Sequence, residues 1–322
     1  MTRPAFEIRH YVGPEDLDLL LGLPYALNHE VAGDLDTRRR RREWTWLAVG
    51  DGRLLGRLAL WSTSSFSEPM QLDIFDTDSA LPEEEQREVG EALFDAARTE
   101  VLGRLATPPE FARYLPADWR DHAASRRTTE MLINILESRG ARFVVERLRL
   151  EWRAGTPIAA PDPRLSFRSF HTIDELIDLT TRALTGTLDA HSTEELANID
   201  PAAVARAQYD EEFAKYGSPR EWWRVATDVD GGPVGFVFPA RNAYHPIVAY
   251  LGVLPEHRGN GYVDGILSEA TRLLDAAGAG HIRASTDVGN VPMANAFARN
   301  GYATFERLIN MTWQPASDDR RV

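Results

Sequence analysis

Val253-Leu254-Pro255-Glu256-His257-Arg258-Gly259-Asn260-Gly261 decides how this chain folds. It closes the apolar run Ile247-Val248-Ala249-Tyr250-Leu251-Gly252-Val253-Leu254. It opens a pattern in which Ile266, Leu267, Ala270, Leu273 and Leu274 recur at helical spacing. A strand therefore runs into a glycine-rich turn, and the turn starts a helix. Backbone N–H groups and the positive end of a helix dipole converge there, which suits a phosphate-bearing ligand. The turn lacks the Gly-Lys-Ser/Thr of a nucleotide P-loop and the three glycines of a dinucleotide fingerprint.

Outward from the turn, the chain is a repeat. Gly140-Ala141-Arg142-Phe143 through Trp152 aligns without a gap on Gly301-Tyr302-Ala303-Thr304 through Trp313, an offset of 161. Glu43-Trp44 and Gly56 align on Glu221-Trp222 and Gly235, at offsets of 178 and 179. Phe6-Glu7-Ile8-Arg9 aligns on Leu165-Ser166-Phe167-Arg168, at 159. The expected division is a domain over 1–153, a linker over 154–163 with three prolines, and a domain over 164–322. In the second domain strands are predicted near 165–169, 222–229, 233–240, 247–254, 281–286 and 303–313. Helices are predicted near 173–184, 201–215, 262–277 and 291–299. The order is α+β, with a βαβ crossover around the glycine turn.

Composition narrows the function. Of 322 residues, 43% are hydrophobic and 26% charged, as in soluble proteins. No apolar run reaches the roughly 18–20 residues of a membrane span. Met1-Thr2-Arg3-Pro4-Ala5 leads into no apolar segment, so no secretion signal is expected and the expected location is cytoplasmic. There is no cysteine, which excludes thiol catalysis and Cys-based metal sites. No metal is expected. A net charge of -13 argues against nucleic-acid binding. The run Arg38–Arg42 reads as a solvated segment, and Trp44, Trp46, Trp222 and Trp223 read as strand core.

Three features resemble the GNAT superfamily of acetyl-CoA-dependent N-acyltransferases. One is Val253–Gly261, similar to V-x-P-x-x-R-G-x-G. The second is Asn290-Val291-Pro292-Met293-Ala294-Asn295-Ala296-Phe297-Ala298-Arg299-Asn300-Gly301-Tyr302, an Asn-led helix closing on Gly-Tyr. The third is the 28–29-residue interval between them. The resemblance covers 165–313 well and 6–152 in outline. It implies two tandem GNAT-like domains, each a mixed, mostly antiparallel twisted sheet flanked by helices. It implies acetyl-coenzyme A as co-substrate, bound by Leu251, Val253, Arg258, Gly259, Asn260, Gly261, Tyr262, Val263, Asn290 and Phe297. The pantetheine arm would pair with the strand edge near Leu251–Val253, where that strand splays from the next.

Two positions depart from the family pattern. Val263 stands where the pattern ends in Gly or Ala, and would crowd the helix–phosphate approach. Phe297 stands where many members carry a tyrosine that protonates the leaving thiolate. Tyr302 or Tyr250 would have to replace it, or water. For the base, His245 and Tyr250 on the fourth strand are candidates, with Asp189, His191, Asp210, Glu211 and Glu212 in the long segment before the Trp222 strand. His191, after Thr187-Leu188-Asp189-Ala190, reads as loop-borne. In the first domain the turn is replaced by Asp76–Glu85, with no glycine and five carboxylates, and Thr129 replaces Asn290. That domain reads as a degenerate copy. The expected activity is N-acetylation of a small-molecule primary amine by direct attack. The alternatives are an acyl-CoA-binding scaffold or a protein lysine acetyltransferase. Two fused units favour a monomer over a homodimer.

Overall fold

A computed structural model describes residues 6–313; the reading of Met1–Ala5 as no secretion signal lies outside them. The first repeat supplies β1 (Glu7–His10), α1 (Leu17–Leu20), α2 (Asn28–Asp36), β2 (Thr45–Gly50), β3 (Arg53–Trp61), β4 (Gln71–Thr77), α3 (Glu83–Glu100), β5 (Glu110–Pro116), α4 (Ala123–Glu137) and β6 (Ala141–Arg153). The second supplies β7 (Ser166–Arg168), α5 (Ile173–Leu184), α6 (Ala190–Leu196), α7 (Pro201–Glu211), β8 (Arg224–Thr227), β9 (Pro233–Arg241), β10 (Pro246–Val253), α8 (Tyr262–Ala276), β11 (His281–Asp287), α9 (Val291–Arg299) and β12 (Ala303–Trp313). The predicted strands and helices of the second repeat are present. Two details differ. The helix expected over 201–215 ends at Glu211 and continues as a separate 3₁₀ turn over Phe213–Lys215. An unexpected short helix, α6, carries His191, which is therefore not loop-borne.

The chain folds as two compact units, each mixed α+β with a mostly antiparallel sheet. One unit takes residues up to Glu146 and those from Arg307 onward; the other is Arg147–Glu306. The division expected at 153 and 164 differs, because the closing strands follow the fold and not the sequence halves. In the second unit β7, β8, β9 and β10 pair antiparallel in order. β11 then pairs antiparallel with the Arg147–Arg153 part of β6.

The duplicated glycines have one physical cause. A Cβ on Gly235 would lie 2.3 Å from the Gly252 carbonyl oxygen on β10 and 2.9 Å from Ile266 on α8. A Cβ on Gly56 would lie 2.9 Å from the Asp76 carbonyl oxygen on β4 and 2.6 Å from Val89 on α3. In both units the helix after the fourth strand packs too closely on the meander for any side chain there. The apolar face of α8 (Ile266, Leu267, Ala270, Leu274) is buried with Val237, Val248 and Ile282.

Two expectations for the first unit change. Arg40 is not solvated: it is 1% exposed and makes a bidentate pair with Asp73, both bonds 2.7 Å, with Asp34 at 3.3 Å. Such a charge is tolerated inside only because carboxylates meet it. Nor do all five carboxylates of 76–85 crowd the turn. Asp76 is buried between Arg57 and Arg113, while Glu83, Glu84 and Glu85 occupy the first turn of α3 and meet its dipole. Of the four tryptophans read as strand core, Trp46 lies on β2 and is buried, Trp44 and Trp223 are buried just before β2 and β8, and Trp222 is only half-buried at the end of a 3₁₀ turn.

Candidate active site

The site grows from the end of β10. After Val253 a 3₁₀ turn over Pro255–His257 leads to Arg258. Gly259 and Gly261 then take φ of +79° and +75°, the left-handed region that favours glycine. Nothing lies within 4 Å of where a Cβ would sit on either, so the backbone itself faces open space. Gly261 caps α8, whose first N–H groups, on Tyr262 and Val263, have no intrahelical acceptor. Asp264 bonds back to the Gly261 carbonyl oxygen at 3.2 Å. Its carboxylate turns away from the turn, to Arg299 at 3.0 Å and the Asn300 amide at 3.0 Å. The turn thus presents donors without a competing carboxylate, the arrangement that binds a phosphate.

The strand feeding this turn is split from its neighbour. β10 and β11 run parallel but pair only at Ile247–Arg283. On its other side β10 pairs with β9 through Val253, with a bulge at Ala249 between Val248 and Tyr250. The bulge twists β10 and re-aims the residues beyond it. There the β11-facing edge of Leu251–Val253 has no ladder partner among the described residues. A cleft of about 350 Å³ runs along this edge to the turn. Tyr250, Leu251 and Val253 line it from β10, and Arg258, Gly259, Gly261, Tyr262 and Val263 from the turn and α8. Asn290, Pro292 and Met293 line it from the start of α9, and Gly186, Thr187 and Leu188 from the α5–α6 loop.

Arg258 is a strap. Its guanidinium donates to the carbonyl oxygens of Ala183 (2.7 Å), Thr185 (2.7 Å), Gly186 (3.2 Å) and Val253 (3.1 Å). It satisfies the C-terminal carbonyls of α5 and ties the α5–α6 loop to the turn. Arg182 on α5 adds a second tie, to Glu256 at 2.5 Å. Asn260 does not line the cleft; its amide donates to the His257 and Arg258 carbonyls and stiffens the turn. The Asn290 side-chain oxygen accepts from the Met293 N–H at 3.3 Å and so caps α9. Val263 stands at the cleft wall, where the sequence places it.

Among the candidate catalytic groups the cleft receives only Tyr250. Its ring stacks on Phe236, 5.9 Å between centroids. Burial, then the nearby Asp189, pushes its phenol well above the usual tyrosine range, so it holds its proton. Phe297 lies one turn beyond Met293, 2% exposed in the core, edge-on to Tyr302 at 5.1 Å. Tyr302 is also buried, its hydroxyl 2.9 Å from that of Thr271. His245 stands at the other end of β10, its Nδ1 3.1 Å from Nε2 of His281. His191 follows the cleft-lining loop on α6 but does not line the cleft. Beside it, Asp189 caps α6 and Asp287 accepts from the Ala190 N–H at 2.7 Å; Arg147 lies 3.0 Å from Asp287 and 3.3 Å from Asp189. Burial raises the Asp287 carboxyl above its usual range.

Sequence reasoning passed over Arg164. Arg164 donates to the Asn260 carbonyl at 3.1 Å and lies 4.7 Å over the Tyr262 ring. It directly follows the linker, where no motif marks it. Among the described residues, no group of three or more His, Asp or Glu is placed to hold a metal ion. No described helix is long and apolar enough to cross a membrane.

Residues 189–302 match the family model described as the acetyltransferase (GNAT) family. No curated protein sequence matches the chain. Among solved structures, the chain is similar to a GCN5-related N-acetyltransferase from Sphaerobacter thermophilus, at 17% identity and a TM-score of 0.57, covering 97% of this chain and 96% of that one. It is similar to a GCN5-related glucosamine N-acetyltransferase region of a fungal multi-domain β-N-acetylglucosaminidase, at 16% identity and a TM-score of 0.54, covering 96% of this chain and 38% of that one. It is also similar to a tandem GNAT protein from the clavulanic acid biosynthesis pathway, at 14% identity and a TM-score of 0.50, covering 98% of this chain and 100% of that one. At such identities these likenesses speak for the fold. Residues 189–302 therefore carry a domain of the acetyltransferase (GNAT) family, in a chain that shares the fold of GCN5-related N-acetyltransferases along nearly its whole length.

Proposed function

We propose that the chain is an acetyl-coenzyme A-dependent N-acetyltransferase that modifies the primary amine of a small molecule by direct attack, with its second unit active. The observation that carries this is a cleft in which an unpaired strand edge runs into a turn of free N–H donors. Its volume falls in the usual range for small-molecule sites. The N–H groups of Gly259–Val263 would hold the pyrophosphate, and the edge of Leu251–Val253 would pair with the pantetheine amides. Asn290, whose side-chain NH₂ faces no described acceptor, would add a bond. A β10 N–H would polarise the acyl carbonyl. Bound there, acetyl-coenzyme A supplies an activated thioester. Tyr250, protonated and inside the cleft, is the group that would stabilise the departing sulfur. Asp189 and His191, next to the cleft-lining loop, would receive a cationic amine and take its proton. A cytoplasmic monomer belongs to the same reading.

Isothermal titration with acetyl-coenzyme A tests it. Saturable heat is expected, abolished by Gly261→Trp. No heat, with no change on that substitution, overturns it. A second reading, coenzyme A binding without catalysis, draws on Phe297 and Tyr302, both turned into the core. Titration heat without release of free thiol across a panel of amines would favour it.

A further inference from the structure

The first unit has the same split between its fourth and fifth strands, and something already fills it. β4 and β5 run parallel but pair only at Gln71–Glu110 and Leu72–Phe111. Past that point Tyr25, from the loop between α1 and α2, enters between them. Its phenolic oxygen accepts the Tyr114 N–H of β5 at 3.0 Å and donates to the Asp73 carbonyl of β4 at 2.8 Å. One side chain therefore joins two strands that no longer bond each other. Two guanidinium groups flank its ring, Arg113 at 5.6 Å and Arg57 at 6.0 Å. Arg113 donates to the Phe75 carbonyl at 2.8 Å and to Asp76 at 3.0 Å. Arg57 donates to Asp76 at 3.2 Å, to the Leu23 carbonyl at 2.9 Å and to the Leu20 carbonyl. Backbone groups that an open split would leave to a ligand are answered from within. Burial raises the Tyr25 phenol far above its usual range, so the hydroxyl stays a donor as well as an acceptor.

We infer that Tyr25 is a built-in occupant of the first unit's slot, making the pair of contacts that an extended amide ligand would make, so that this unit takes up no coenzyme A. The chain then binds one coenzyme A, a count that rests on the proposed function of the second unit; the occupancy by Tyr25 does not. Removing the side chain leaves a slot the size of a phenol with an N–H donor on one wall and a carbonyl on the other. Its ligand class is small neutral molecules bearing a hydroxyl or a secondary amide.

The test uses the full chain. In Tyr25→Phe the ring remains and the bridge is lost, so hydrogen exchange at the Tyr114 amide should accelerate about tenfold. Tyr25→Gly should melt lower than wild type, and p-cresol should raise its melting temperature while toluene at the same concentration does less. Titration of wild type with coenzyme A should give one site per chain. Unchanged Tyr114 exchange in Tyr25→Phe overturns the inference, as do two coenzyme A sites in wild type. Equal rescue of Tyr25→Gly by toluene and p-cresol overturns the bridging role. If Tyr25→Gly does not fold, the Tyr25→Phe exchange decides. Absence of any coenzyme A binding defeats the function proposed for the second unit and leaves the exchange and rescue results to judge Tyr25.

Discussion

Replacing Gly261 by alanine isolates the backbone demand of the glycine turn. Gly261 sits at φ +75° and ψ 8°, with nothing within 4 Å of where a Cβ would stand. The cost is therefore conformational and not steric. An L-residue held in the left-handed region costs about 1–2 kcal/mol. Alanine also restricts the unfolded chain, which returns about 0.4–1 kcal/mol. The net expectation is a loss of about 1 kcal/mol, or a fall of about 2–4 °C in melting temperature for a unit of this size. Gly280→Ala is the control. Gly280 also has open space around it, but its φ is not left-handed, so the same chemical change there should stabilise by about 0.4–1 kcal/mol. Urea denaturation followed by circular dichroism reads both variants. If Gly261→Ala proves as stable as Gly280→Ala, the strained turn is not what the sequence preserves with glycine.

Two more outcomes come from the packing and charges. Gly235→Ala drives a methyl to 2.3 Å from the Gly252 carbonyl, and a backbone oxygen cannot rotate aside, so a loss of about 3 kcal/mol is expected in the same urea assay; wild-type stability would refute the close-packing account. Glu175 is held below the usual carboxylate range by the Arg168 guanidinium, against a smaller opposing effect of burial, with help from the His171 N–H at 2.7 Å. A depressed folded value means that the pair stabilises above the ordinary carboxylate range and that this stability is lost as pH falls through the depressed value. Glu175→Gln should therefore be less stable than wild type at pH ~7 by under about 1 kcal/mol, with the gap closing towards pH ~3. A gap that stays constant between those pH values would contradict the assignment.

Local signals make much of the second repeat legible in the sequence. The α8 periodicity, the meander glycines and the Asn290 cap each act over a few residues, so the sequence carries them directly. The closing strands do not yield in the same way. Gly140–Trp152 and Gly301–Trp313 have the same length, the same opening glycine and the same closing tryptophan, and two strands so alike in frame do not announce which sheet each will enter. The burial of Arg40 is hidden because Asp34 and Asp73 meet it only after folding. The helix α6 spans seven residues, too few to show a period, although Asp189 caps it at the Ser192 N–H. At the site, the motif leads to the turn and β10, whereas analogy alone puts Phe297 in the cleft. Phe297 shares a helix face with Met293, but one turn deeper that face has left the cleft for the core.

Tyr25 also separates the two units thermodynamically. A slot open to a metabolite couples stability to that metabolite's concentration, adding about 2.7 kcal/mol at a hundred times the dissociation constant. A slot filled by a tyrosine tethered to the same chain sees an effective concentration that never changes. On the inference drawn above, the unit carrying it would keep the same melting behaviour in starved and well-fed cells, while its sister would stiffen and relax with the supply of its ligand.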